Sequence, residues 1–144
     1  MKFGLACDHA GFQLKERIKR YLSDKHFEIK DFGCFSDERV DYPDYAHALG
    51  KAIEEQSVDY GIAICGSGNG ISMSLNKHQK VRAALAWTPE IAQLAKAHND
   101  ANVLSLPARF ISEEEALKIV DAFLSHSFEG GRHEVRVRKI PCIS

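Results

Sequence analysis

What the chain lacks narrows it first. Its 144 residues contain no apolar run near the ~20 residues that a membrane helix needs. The opening stretch turns to charge at Asp8, too soon for a secretory apolar region, and Phe3 to Cys7 reads instead as a buried strand. Cysteine is sparse: Cys7, Cys34, Cys65 and Cys142 form no C-x-x-C pair and no metal-finger spacing, so no metal site is expected. Free thiols in a reducing cytoplasm are the expectation. An excess of one charge is missing too, since 19 basic residues meet 20 acidic ones for a net charge of −1. Nothing global draws such a chain to nucleic acid or to a membrane surface. That average hides one exception: Gly130 to Ser144 carries Arg132, Arg136, Arg138 and Lys139 against Glu134 alone.

What is present is ordinary for a globular domain, 44% hydrophobic and 27% charged residues. No linker, repeat or low-complexity tract interrupts it, so residues 1–144 read as a single domain. Short apolar runs alternate with helical patterns. Phe3 to Cys7 precedes Phe12, Leu14, Ile18 and Leu22, spaced as one face of a helix whose polar positions include Lys15, Glu16 and Lys19. Phe27, Ile29 and Phe32 suggest a second strand, and Asp44 to Glu55 a second helix. Tyr60 to Cys65 is apolar throughout, as a strand covered on both faces requires. A short helix follows over about 70–76, then a strand over Val81 to Trp87. Thr88 and Pro89 open the next helix, and Asn102 to Leu106 forms a fifth strand ended by Pro107. Ser112 and Glu115 make a capping box, and a last helix is expected over about 131–139.

Five strands, each followed by a helix, predict right-handed βαβ units. The fold class is therefore α/β: a single-domain three-layer α/β/α sandwich around a five-stranded parallel sheet, Rossmann-like. Ligands bind such sheets beyond the carboxyl ends of the strands.

Four groups of residues carry chemistry, two of them at such strand ends. Asp8 and His9 follow the first strand; they suit sugar hydroxyls and an anion, or equally an aspartate cap with a solvent-facing histidine. Cys65-Gly66-Ser67-Gly68-Asn69-Gly70-Ile71 follows the third strand. Its glycines let successive N–H groups converge on one anion, and that potential favours a thiolate at Cys65, able to act as nucleophile or base. The plainer alternative is a flexible turn after a buried cysteine. Ile71 stands where a dinucleotide loop needs glycine and where a phosphatase loop needs arginine; Ala63 stands where a nucleophile elbow needs glycine; G-K-[ST] is absent. The loop suits an oxyanion better than a nucleotide. His98 and Asn99 end the fourth helix, where a helix C-terminus favours an imidazolium; they could also simply close that helix. This segment lies at the end of the sheet opposite Cys65, so it serves the same site only through a second subunit. Arg132 and Arg136, at i and i+4, share one helix face and suit phosphate oxygens, with Arg109 a possible third; a solvated charged face is the alternative.

Together with Asp41-Tyr42-Pro43, Asn76-Lys77, Asp100-Ala101-Asn102 and Gly130-Gly131-Arg132-His133, these segments resemble the ribose-5-phosphate isomerase B family, which also includes galactose-6-phosphate isomerase subunits. The resemblance runs from near residue 3 to about 138. It implies a cofactor-free interconversion of ribose 5-phosphate and ribulose 5-phosphate through an enediolate. It also implies Cys65 as base, Ser67 as a proton relay and His98 as the ring-opening acid, with Asp8 and Tyr42 assisting. Gly66, Ser67, Gly68, Asn69 and Gly70 would stabilise the enediolate oxygens, and Asn99 would contact the sugar. His9, Arg109, Arg132 and Arg136 would hold the phosphate. Family members are homodimers or dimers of dimers, with His98, Asn99 and Arg109 reaching the neighbouring subunit. Another branch carries its base as glutamate at the position of Ile71, which puts this chain in the cysteine branch. A hexose-6-phosphate isomerase (galactose or allose) and a non-catalytic sugar-phosphate binder are the alternatives.

Overall fold

In the computed structural model, which describes residues 1–142, strands β1 (Lys2–Cys7), β2 (Glu28–Asp31), β3 (Tyr60–Cys65), β4 (Ala83–Leu85) and β5 (Val103–Pro107) form one sheet. All neighbouring pairs are parallel, and the order is β2-β1-β3-β5-β4. Helices α1 (Phe12–Asp24), α2 (Tyr42–Glu54), α3 (Asn69–Leu75), α4 (Pro89–Asn99), α5 (Glu113–Leu124) and α6 (Arg132–Arg138) complete the fold.

Alternation along the strands divides the core. Leu5, Ile62, Ile64, Leu104 and Leu106 pack with α1, α4 and α5, through Ile18, Ala92 and Ile119 among others. Ala6, Ala63, Cys65 and Val103 pack on the opposite face with Leu49 of α2 and Ile71 and Leu75 of α3. The three-layer sandwich expected from the apolar runs is the fold observed. From β1 the chain crosses to β2 on one side, and from β3 it crosses to β4 on the other, so β1 and β3 are the strands at which the winding reverses. A crevice opens beyond the carboxyl ends of such a pair.

Several boundaries differ from the sequence reading. β4 is three residues long rather than seven, because side chains take the backbone groups at its entrance: Asn102 Oδ1 accepts the Arg82 N–H (2.7 Å) and Asn76 Oδ1 the Ala83 N–H (2.8 Å). Helix α2 starts at Tyr42, with Pro43 in the first turn where its missing N–H costs nothing. Pro107 belongs to β5 and pairs with Cys65. The Thr88 cap and the Ser112/Glu115 capping box are both formed.

Lys15, on the polar side of the predicted α1 pattern, is fully buried. Its ammonium lies 2.5 Å from Asp31 of β2 and ties that edge strand to the helix. Burial alone would lower the Lys15 pKa, but the hydrogen bond and charge of Asp31 raise it above the usual lysine value. Asp31 is held below the usual carboxylate range: burial opposes this, but hydrogen bonds from Lys15, the Gly33 N–H and Lys19 outweigh it.

Candidate active site

The turn after β1 is compact. Asp8 is 7% exposed, and its Oδ1 accepts the Ala10 N–H at 3.0 Å, capping a 3-10 turn over His9–Gly11. The cap expected as the plainer role of Asp8 is therefore real. His9 is not solvent-facing in the way that reading supposed: its Nδ1 sits against the backbone of Val40, 3.2 Å from the N–H and 3.3 Å from the carbonyl. Anchoring Nδ1 leaves Nε2 as the outward nitrogen.

Cys65 ends β3 and is 4% exposed. The loop that follows is pinned to the segment after β5, because the Cys65 carbonyl accepts the Ala108 N–H (2.9 Å) and the Gly66 carbonyl the Arg109 N–H (3.0 Å). The Arg109 guanidinium then folds over the loop: a β-carbon on Gly66 would lie 3.1 Å from Nη1. Expected to reach a neighbouring subunit, Arg109 here lies against its own chain's glycine loop. Ser67 Oγ accepts the Asn69 N–H at 3.3 Å, which keeps the turn tight while its own O–H stays free to donate. Gly68 has φ +78° and caps α3; a β-carbon there would meet Leu85 Cδ1 at 2.4 Å. Only glycine satisfies both the left-handed backbone and the missing space. Gly70 faces the ring of Tyr42. Ile71 is fully buried in the α2–α3 core, so the position that carries glutamate in the other branch is an apolar core position here.

Asp8, His9, Tyr42, the loop Cys65–Gly70 and Arg109 thus gather at the carboxyl edge of the sheet. The rest of the predicted site does not join them. β5 enters at Val103 opposite Gly61 and ends at Pro107 opposite Cys65. His98 and Asn99 precede that entrance and lie at the far edge, about 13 Å away along the strand at ~3.3 Å per residue. Helix α6, with Arg132 and Arg136, packs beside them.

At this second edge Asp100, in a left-handed conformation, closes α4 through its N–H to the Ala95 and Lys96 carbonyls. His98 and Asn99 are therefore not what caps the helix, and their side chains are released. The His98 ring stacks on His133, with centroids 4.2 Å apart and planes at 12°. Glu129 Oε1 lies 3.7 Å from His98 Nε2 and 3.9 Å from His133 Nε2. Burial, and then the neighbouring His98 ring and Arg132 guanidinium, hold His133 below the usual histidine range, which favours its neutral form. Two imidazoles and a carboxylate could suggest a divalent ion. A bound ion lies in the plane of each ring about 2.0–2.1 Å from nitrogen, and these nearly parallel planes share no such point. Arg132 and Arg136 are exposed, and Glu134 pairs with Arg138 instead of neutralising them. His133 and Glu129 were given no role by sequence reasoning. Only the motif Gly130-Gly131-Arg132-His133 pointed near them.

Fold and geometry define a doubly wound α/β protein with a glycine-rich loop and a thiol at its switch point. The chain belongs to the ribose/galactose isomerase family, whose sequence profile matches residues 3–140. It is 45% identical to ribose-5-phosphate isomerase B of Escherichia coli over 142 residues, covering 99% of this chain and 95% of that protein. A crystal structure of a ribose 5-phosphate isomerase from Thermotoga maritima superposes with a TM-score of 0.96 at 49% identity, over 99% of this chain and 98% of that one. Ribose-5-phosphate isomerase B of Mycoplasma genitalium with bound ribulose-5-phosphate gives a TM-score of 0.93 at 43% identity, over 96% and 93% of the two chains.

Proposed function

We propose that the chain is an aldose–ketose isomerase interconverting ribose 5-phosphate and ribulose 5-phosphate through an enediolate. The observation that carries this reading is the Cys65 thiol at the end of β3, followed directly by the turn Gly66–Gly70. An α-proton of a hydroxyaldehyde is weakly acidic, so the reaction needs a base and preorganised donors for the oxygens that become negative. One such donor is typically worth ~10²–10³ in rate.

His98 donates a proton to the furanose ring oxygen while Asp8 takes the anomeric hydroxyl proton, and the ring opens to the aldehyde. Cys65 as thiolate removes the proton from C2, the loop amides stabilise the enediolate, and the same sulfur returns the proton to C1. Ser67 relays the hydroxyl proton between the two oxygens. Tyr42 and Asn99 orient the sugar, and His9, Arg109, Arg132 and Arg136 hold the phosphate, which fixes the reacting carbons from a distance. No cofactor enters the scheme.

Base and acid lie on opposite edges of one protomer. A complete site therefore draws Cys65 from one chain and His98 from another, in a homodimer or dimer of dimers. We place the enzyme in the cytoplasm; no helix among the described residues is long and apolar enough to cross a membrane.

The test is isomerisation of ribose 5-phosphate by purified protein in the presence of a chelator. Wild type turns over, and Cys65→Ala keeps its fold while losing at least ~10²-fold. Full turnover by Cys65→Ala removes the thiol from the mechanism. Faster turnover of galactose or allose 6-phosphate would reassign the substrate.

A further inference from the structure

We propose that His133 is a positioning residue for His98: its buried ring fixes the plane of the His98 imidazole, with Glu129 facing the Nε2 edge. The inference rests on the reading of His98 as the ring-opening acid.

Three observations carry it. First, the His98 side chain is 36% exposed and makes no hydrogen bond among the described residues, so the stack on His133 is the contact that sets its ring. Second, His133 is 8% exposed, and its Nε2 is buried without a hydrogen-bond partner. A ring buried this far has little freedom of its own, so it presents a fixed face to its neighbour. Third, the backbone delivers both partners to α4. The Glu129 N–H bonds the Ala97 carbonyl at 2.9 Å, and Gly130 and Gly131 follow with φ of +70° and +57° in open space. That turn brings α6 back so that His133 lands on His98 while Arg132 stays exposed.

The chemistry follows from the asymmetry of the pair. Two imidazolium rings this close repel, so protonation of one opposes protonation of the other. Burial holds His133 below the usual histidine range, and His98 is the ring that stays accessible to substrate. The Glu129 carboxylate, 59% exposed, faces the His98 ring without touching it. An aromatic stack biases a side-chain population by roughly 2- to 12-fold, which sets the size of the expected effect.

The test uses the full oligomeric enzyme and separates ring opening from enediolate formation. Ribose 5-phosphate enters as a furanose. Ribulose 5-phosphate is acyclic, because the oxygen that would close its ring carries the phosphate, so exchange of its C1 hydrogen with deuterated water needs the base and loop but no ring opening. His133→Ala is expected to lower kcat on ribose 5-phosphate about tenfold. Its KM and the C1 exchange rate are expected to stay within about twofold of wild type. His133→Phe, which keeps the stack, is expected to recover most of kcat. Glu129→Gln, at an exposed position, is expected to lower kcat selectively, and it decides the matter if His133→Ala fails to fold. Equal losses in turnover and exchange, or no loss in either, overturn the inference. His98→Asn is the reference. If its loss is selective and that of His133→Ala is not, the positioning role alone falls; if its own loss is unselective, the acid assignment falls and takes the inference with it.

Discussion

The ring of Tyr42 occupies the space that a side chain on Gly70 would need: a β-carbon there would lie 2.4 Å from Cζ and 2.7 Å from the hydroxyl oxygen. The first turn of α2 is thereby packed onto the last residue of the glycine loop. Gly70→Ala must displace the tyrosine or the loop. Because Tyr42 is 37% exposed and can swing outward, the fold is expected to survive while kcat/KM falls by about 10- to 100-fold. Steady-state kinetics beside a thermal melt checks this, and near-normal activity would show that this contact is slack.

Gly68 makes the opposite prediction, because its left-handed backbone and the Leu106 main chain beside it cannot swing away. Gly68→Ala would put a side chain at φ +78° and drive it against Leu85 and the Leu106 carbonyl carbon, 3.2 Å away. Left-handed backbone alone costs about 1–2 kcal/mol for a residue with a β-carbon, and overpacking adds about 1–3. Denaturant unfolding is expected to show a loss of roughly 2–5 kcal/mol with activity lost as well. A stable, active Gly68→Ala protein would contradict the loop geometry.

The buried Lys15–Asp31 pair predicts a pH dependence of stability. Asp31 has its pKa lowered in the folded chain, so its contribution is complete above the unfolded value of ~3.9 and is lost as pH falls through the lower folded value. Lys15 is raised, so its contribution is present below ~10.4 and is lost only as pH climbs through the higher folded value. Acid titration of the unfolding free energy is expected to show the Asp31 limb below about pH 4. In Asp31→Asn this limb disappears and stability at neutral pH drops by about 3 kcal/mol, because the buried ammonium keeps only Glu16, 3.3 Å away, as an anionic partner. Lys15→Met with Asp31→Leu is expected to recover most of that loss.

Arg132 and Arg136 lack an acidic partner on their own helix, so their charge is available for an anion. Arg132→Gln with Arg136→Gln is expected to raise KM for ribose 5-phosphate by ~10²-fold or more, at about 1.5–3 kcal/mol per lost charged hydrogen bond. Turnover of unphosphorylated ribose, which makes no use of a phosphate site, is expected to change little. Equal loss on both sugars would move these arginines out of the phosphate site.

The alternation of apolar runs with helical spacing determined the sheet, its parallel sense and the residues at its carboxyl edge. Those signals are local: a strand buried on both faces must be apolar throughout, as Tyr60 to Cys65 is, and a capping box must sit where Ser112 and Glu115 sit. The candidate chemistry was legible for the same reason, since Cys65 and its glycine turn are contiguous, and the direction of α4 already set His98 apart from them. Other features depended on packing between distant segments. Lys15 is buried because Asp31 arrives from another strand, β4 is short because Asn76 and Asn102 take its flanking amides, and Arg109 covers Gly66 because β5 ends beside β3. The stack of His98 on His133 depends on α6 folding back over α4, which no periodicity records. Sequence by itself determined which groups could react and on which strand ends they stand. Only the tertiary structure decided which of them share an edge, because that is set by contacts between segments far apart in the chain.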